Sequence, residues 1–271
     1  MKKEPLVSIV MTAYNVADKI TETLDAILMQ DYKNFELLIS DDGSTDATAK
    51  IIQDYQKKDE RIKIFLCEHQ GRAKILNFTI KQARGEYIAI NDADDLPAKD
   101  KFVKQINFLE QNKDYGMIGS QGYLLYVETG NIRNFDKPLS YEEIYEYLII
   151  ENPFIHSAVI FRKEVFDKIG YYNEYFTKLG SEYELWSRVL KHYKVCNLED
   201  RLLYYKVHNN NVYRKRNCFI IFKHQFLMRI LIFKRLQYPL YKAFYILYIP
   251  LKYFLLDFIK KYIFLNKIRT K

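Results

Sequence analysis

Asp92-Ala93-Asp94 places two carboxylates at positions i and i+2. In an extended chain such residues point the same way. Paired hard oxygens suit Mg2+ or Mn2+, which proteins hold with one or two carboxylates while substrate phosphates and water fill the shell. A cation so held would neutralise a diphosphate. The same triplet also suits a solvated turn with Asp95 capping the next helix, and a bare D-x-D does not separate the two. Asp41-Asp42-Gly43-Ser44-Thr45-Asp46 is a second acidic stretch. It offers a carboxylate to a ribose hydroxyl or a base N–H, or serves as a tight turn with a helix cap. Gly71-Arg72-Ala73-Lys74 precedes a helical pattern, where free backbone N–H groups and basic side chains favour phosphate; taken singly, Arg72 and Lys74 are ordinary surface charges. Glu182 and Glu184 flank Tyr183 ahead of Leu185-Trp186. A carboxylate at a helix start beside a pocket can act as general base, and acids also favour a first helical turn through the dipole alone. His208 follows a strand pattern and is a candidate metal or phosphate ligand. His156 sits in an apolar context, as a packed ring or at the border of an acceptor pocket.

These groups need a scaffold that gathers them. Apolar runs at Leu6–Met11, Phe35–Ser40, Ile62–Cys67 and Tyr87–Ile90 read as strands. Helical spacing joins Ile20, Leu24, Ile27 and Leu28; Ile51, Ile52 and Tyr55; Ala73 to Ala83; and Phe102, Val103, Ile106 and Leu109. Repeated strand–helix units predict an α/β fold with a mostly parallel central sheet flanked by helices. Ligands of such sheets sit outside the carboxyl ends of the strands. Three strand ends there carry polar groups: Thr12 to Asn15, Asp41 to Ser44, and Asn91 to Asp95. The second half is less regular. Met117–Val127 reads as one or two strands, Pro153–Arg162 as a loop feeding a strand, Ser181–His192 as a helix and Leu202–Val207 as a last strand.

The chain has 271 residues, a formal net charge of +8 and 49% hydrophobic residues. High apolar content with 9 Gly and 6 Pro excludes intrinsic disorder. The three cysteines, Cys67, Cys196 and Cys218, include no CxxC pair, which excludes a disulfide framework or zinc finger and reads as reduced core thiols of a cytosolic protein. No Ser-His-Asp arrangement can be argued from spacing. The Walker pattern and GxGxxG are absent, so P-loop NTPases and Rossmann dehydrogenases are excluded. Charge is uneven: eleven Lys/Arg and a single acid, Asp257, fall between Asn217 and Lys271, leaving a near-neutral body. Expected segments are therefore 1–216 as the body and 217–271 as a basic, aromatic, helical tail. No signal peptide or membrane span is expected. The tail's fourteen Phe/Tyr among basic residues suit an anionic membrane surface. A packed helical cap, a dimer contact or a nucleic-acid surface are its other readings. The last is disfavoured because the excess charge is confined to the tail and no nucleic-acid module is present.

In order, Val7–Asn15, Ile39–Thr48, Gly71–Asp95, Asn152–Glu174 and Ser181–Val189 resemble the family 2 glycosyltransferases, spanning about three quarters of the chain with His208. The resemblance implies the GT-A fold, a Rossmann-like sheet with a nucleotide-sugar-binding half (1–115) and an acceptor half (116–216). It implies inverting transfer from a nucleotide-sugar, usually a UDP-sugar, to a hydroxyl of a glycan or lipid-linked acceptor. On that basis Ala13, Tyr14 and Asn15 line the nucleoside pocket and Asp42 contacts base or ribose. Gly71, Arg72 and Lys74 lie near the diphosphate. Asp92, Ala93 and Asp94 are the family's D-x-D, with Asp94 the direct ligand of Mn2+ or Mg2+ and His208 reaching metal or phosphates. His156 belongs to the acceptor region. The family's Glu-Asp before the Leu-Trp helix is here Ser181-Glu182, so Glu182 is the base expected, with Glu184 as fallback. The QxxRW signature of processive synthases is absent, which argues for transfer of a single sugar. Bacterial polysaccharide, capsule or lipooligosaccharide assembly, with the protein cytoplasmic and peripheral on the inner face of the membrane, is implied by family analogy. A catalytically inactive nucleotide-sugar binder is the alternative that the altered base motif leaves open.

Overall fold

The computed structural model of the protein describes residues 4–176, 180–208 and 218–255. The four apolar runs of the first half form β1 (Val7–Ala13), β2 (Phe35–Asp41), β3 (Ile62–Leu66) and β4 (Tyr87–Ile90), separated by α1 (Ile20–Leu28), α2 (Thr48–Gln56) and α3 (Arg72–Lys81). A two-residue strand, β5 (Leu96–Pro97), and α4 (Lys101–Gln111) follow. β1 pairs in parallel with β2 and β4, and β2 with β3. β2 is buried throughout, as strands covered on both faces are. The pleat divides the core. Ile9, Met11, Leu37 and Ile39 face α1 and α4 (Leu24, Ile27, Phe102, Ile106), whereas Val10, Leu38 and Ile90 face α3 (Ala73, Leu76, Ile80).

The second half comprises β6 (Tyr115–Tyr126), β7 (Asn131–Phe135), α5 (Tyr141–Leu148), β8 (Ile160–Arg162), α6 (Lys163–Ile169), α7 (Ser181–His192), β9 (Lys194–Val207) and α8 (Cys218–Leu236). The sheet continues past β4 in the order β8-β6-β9-β5, with β7 on β6. β8 runs antiparallel to β4 and β6, while β6 and β9 are parallel. The parallel pattern thus holds through β4 and becomes mixed beyond it. Within β9, Leu202–Val207 is the stretch expected from sequence. Its first part is masked there because the β6–β9 register shifts at Ser120/Gln121, so Glu199, Asp200 and Arg201 interrupt the apolar alternation.

α8 is built into the body. Met228, Ile232 and Leu236 share a buried cluster with Leu185, Trp186 and Val189 of α7. Arg229 donates to the carbonyls of Ile149 (3.1 Å) and Ile150 (2.8 Å). The expected boundary at 216/217 lies outside the described residues. A 3-10 turn at Leu240–Ala243 leads into a helix over 244–255. Among the described residues no helix is long and apolar enough to cross a membrane. Cys67 and Cys196 are free and half-buried, Cys196 packing against the core; the Cys218 side chain lies outside what is described.

Candidate active site

β1, β2 and β4 end on one edge of the sheet, and their ends line one cleft of about 210 Å³: Thr12, Ala13, Tyr14, Val16, Asp42, Arg72, Asp92, Ala93 and Asp94. Most of the residues singled out in the first half therefore meet. Asn15 supports the wall. It takes a left-handed φ of 51°, its Oδ1 accepts the Thr45 N–H (2.8 Å), and its own N–H donates to Ser44 Oγ (2.9 Å). Asp42 is buried, and its carboxylate accepts the N–H groups of Gln70 (2.7 Å) and Gly71 (3.0 Å). Those bonds hold the chain ahead of α3, where Gly71 adopts φ 92°, a conformation that disfavours a side chain. Asp42 borders the cleft, but both oxygens serve the loop. Lys74 is exposed and does not line the cleft.

Arg72 reaches from the start of α3 into the cleft. Its Nη2 donates to Asp92 Oδ1 (2.5 Å) and to His156 Nδ1 (2.8 Å). His156 Nδ1 accepting from an arginine places the ring proton on Nε2, which lies 3.0 Å from the Tyr172 hydroxyl. Burial alone would raise Asp92, but the Arg72 guanidinium beside it outweighs that and holds the carboxyl far below its usual range. Asp94 behaves oppositely: burial and then the Asp92 charge raise it. Two acids two residues apart thus have different chemistry, Asp92 committed to Arg72 and Asp94 left open to a further partner.

The group facing Asp94 is His208. It lies just beyond β9, and its Nε2 is buried, makes no hydrogen bond and lies 4.0 Å from Asp94 Oδ2. An unsatisfied imidazole nitrogen facing a carboxylate, itself 36% exposed, is a donor pair that fits Mn2+ or Mg2+. Among the described residues no three His, Cys, Asp or Glu gather to hold an ion by themselves, so phosphate oxygens and water would have to complete the shell.

Asp95 does not cap α4; Asp100 occupies that position. Asp95 is buried and takes bonds from Ser157 Oγ and the Lys206 N–H (3.1 Å), while Ser157 Oγ also accepts the Asp92 N–H (3.1 Å). Lys101 donates to the Ser157 carbonyl (2.5 Å), and burial pushes its ammonium down to about 7. This network joins the β4 end to the turn carrying His156 and to β9, two residues before His208. Sequence reading missed it, because a lone lysine before Phe102 gives no sign of burial.

The two glutamates of α7 separate. Glu184 is buried, its carboxylate bonded by Arg188 (2.9 Å) and Arg235 (2.7 Å). That pairing makes it a structural anion and removes it as the fallback base. Glu182 is half-buried, and its charge acts on both Arg72 and Tyr172. It borders the same cluster. Two further residues went unmarked in the sequence. His69 stacks on Tyr14 at 4.4 Å between ring centroids, and its position just before Gln70-Gly71 was the available signal. Tyr172, inside the stretch from Asn152 to Glu174, bridges His156 and α3 through its backbone bonds with Asn77.

A larger hollow of about 810 Å³ lies between α5 and residues 241–245. Its acids already have partners: Glu143 caps α5, Glu146 pairs with Lys242, and Asp136 with Arg201. None of the residues selected from the sequence lines it.

The family model described as "Glycosyl transferase family 2" matches residues 8–170. An uncharacterized glycosyltransferase of Methanocaldococcus jannaschii is 33% identical over 79% of this chain and 74% of its own length. The putative teichuronic acid biosynthesis glycosyltransferase TuaG of Bacillus subtilis is 38% identical over 47% of this chain and 50% of its own. Among solved structures, S. aureus TarS residues 1–349 with UDP-GlcNAc superposes with a TM-score of 0.68 at 20% identity, covering 89% of this chain and 70% of that one. The mannosyltransferase PcManGT from Pyrobaculum calidifontis, with GDP-Man and Mn2+, gives 0.66 at 21%, covering 93% and 74%. These likenesses agree with the GT-A architecture of the sheet, and the match over residues 8–170 runs through every strand end that lines the cleft. The chain belongs to glycosyl transferase family 2 and is a glycosyltransferase.

Proposed function

We propose that this glycosyltransferase moves one sugar from a nucleotide-sugar, a UDP-sugar in the first instance, to a hydroxyl of a glycan or lipid-linked acceptor, inverting the anomeric carbon. The observation that carries this reading is the convergence of Tyr14, Arg72, Asp92, Asp94 and His208 from four separate chain segments on one cleft. Tyr14, stacked on His69, offers a flat face to the base. Arg72 supplies a guanidinium to the diphosphate, a bidentate match for phosphate oxygens. Asp94 and His208 would hold Mn2+ or Mg2+, which when bound would stabilise negative charge on the departing diphosphate.

Glu182 takes the acceptor hydroxyl proton. As the acceptor oxygen bonds to the anomeric carbon, the carbon–phosphate-oxygen bond breaks and the nucleoside diphosphate leaves with the electron pair. The sugar passes through an oxocarbenium-like state. The His156–Tyr172 pair, tied to Arg72 on its far side, borders the acceptor side of this cluster. Assembly of a bacterial surface glycan is supported by the name of TuaG. A lipid-linked acceptor would place the reaction at the inner membrane surface, and the basic residues from 217 onward support a peripheral location there.

The test is a panel of UDP- and GDP-sugars assayed for nucleoside diphosphate release with Mn2+ or Mg2+ and with chelator. Release from at least one donor, lost with chelator and in Asp94→Ala, supports the reading. A folded protein that releases nothing and shows no thermal shift with any donor overturns it.

A further inference from the structure

Residues 240–255 present two apolar faces where a surface helix ordinarily has one. The inner face is occupied. Lys242 and Ile249 are buried, Lys242 pairs with Glu146, and the Phe254 ring packs edge-on against Phe222 at 6.0 Å. Nearby, Tyr145 OH donates to the Leu236 carbonyl (2.7 Å) and Tyr238 OH to the Tyr145 carbonyl. The outer face carries Leu240, Phe244, Leu247, Leu251 and Leu255, at i, i+4, i+7, i+11 and i+15, all exposed. Leu240 is 85% and Phe244 61% exposed. A contiguous apolar stripe of this length marks a docking surface.

We propose that this stripe seats the enzyme on an anionic phospholipid bilayer, the helix lying in the headgroup plane with Phe244, Leu247 and Leu251 dipping among the acyl chains. The proposal rests on the peripheral location argued above and names the surface that produces it. Charge selects the occupant. The segment from 217 to 271 carries eleven Lys/Arg against one acid; Arg229, Arg235 and Lys242 are engaged within the body, and the rest leave the segment net positive, which favours anionic headgroups over a second copy of the same segment. The side chains of the stripe select lipid over nucleic acid, because four of its five members are leucines, which fill hydrocarbon and do not stack on bases. No described helix is apolar enough to span, so the geometry is that of a helix lying on the surface. The inner-face contacts join the helix to α5 and α8, so binding would also orient the body above the bilayer.

The experiment floats the full-length chain with vesicles of phosphatidylcholine alone and of phosphatidylcholine mixed with phosphatidylglycerol. A triple variant, Phe244→Asp, Leu247→Asp and Leu251→Asp, runs beside it, with sedimentation velocity on both proteins. All three positions are exposed, so the fold is retained, and an unchanged thermal midpoint checks it. The wild type is expected to float with the mixed vesicles, and the variant to lose binding on the order of 100-fold, as three large apolar side chains no longer enter lipid. Wild-type flotation of the triple variant overturns the stripe while leaving a charge-driven peripheral location standing. Absence of flotation for both proteins overturns both. A wild-type dimer that becomes a monomer in the variant, without vesicle binding, identifies a second copy as the occupant and overturns the proposal.

Discussion

From β1 to β4 each strand runs parallel to its neighbour, and the ends of β1, β2 and β4 deliver residues to the cleft: Tyr14 after β1, Asp42 after β2, Asp92 and Asp94 after β4. Beyond β4 the sheet turns mixed, and the groups that complete the site arrive by other routes. His156 rides a 3-10 turn, Glu182 the first turn of α7, and His208 the end of β9, held through bulged pairing with β6. In the first half the protein sets charge at strand ends. In the second it sets the partners of that charge: His156 against Asp92, His208 against Asp94, and Glu182 near Arg72. The lesson is that a regular parallel half can present a donor site by topology alone, while the irregular half must be tied to it by buried bonds such as Asp95–Ser157–Lys206.

The sharpest way to break this division lies within α7. Glu182→Gln is expected to lower turnover by about 10³-fold, the range for loss of a general base, with nucleotide affinity and thermal midpoint unchanged; steady-state kinetics beside calorimetry read both. Near-wild-type turnover would mean that the proton leaves to another group. Glu184→Gln is expected to do the reverse. It strands Arg188 and Arg235 beside a neutral amide, so chemical denaturation is expected to show a loss of about 3 kcal/mol, with per-molecule activity retained in whatever remains folded.

The donor half has its own structural anion. Glu36 is buried and accepts from Ser8 Oγ (2.7 Å), the Arg84 N–H (2.8 Å) and Lys63 (3.1 Å). Burial would raise it, but the bonds win and hold it down at about 2, against 4.5 unperturbed. A depressed folded pKa gives stability that is full above the unfolded value and lost as pH falls through the folded one. Glu36→Gln is therefore expected to cost about 2 kcal/mol at neutral pH, allowing for the exposed Lys63 and Arg84 ends. That difference should shrink below pH about 4.5 and vanish near pH 2. A difference that is flat with pH would contradict the assignment. The smallest effect is at the rim: His69→Ala removes the ring behind Tyr14, and donor affinity is expected to fall about fivefold, the worth of one aromatic pair.

How much of this was legible follows the same division. Strands β1 to β4 were readable to within a few residues, because buried parallel strands appear as unbroken apolar runs and their ends as polar clusters. The cleft could be located from that pattern alone. The second half resisted. β7, α5 and α6 gave no distinct signal, and the start of β9 was hidden by a register shift. Glu182 and Glu184 look alike in a first helical turn; only the arrival of Arg235 from α8, 51 residues away, separates them. Asp42 reads as a ligand acid and is spent largely on backbone N–H groups. Lys101 and Ser157, 56 residues apart, meet only once the sheet has formed.

The central claim is that the two halves meet at one cation, through Asp94 from β4's end and His208 from β9's end. Calorimetric titration of Mn2+ into the UDP-bound protein tests it, with Asp94→Asn, His208→Ala and the double variant alongside. The account predicts that each single change weakens Mn2+ binding by at least about tenfold, the lower range for disturbing a ligand, and that the double variant loses little more than either. Wild-type Mn2+ affinity in both single variants would contradict it.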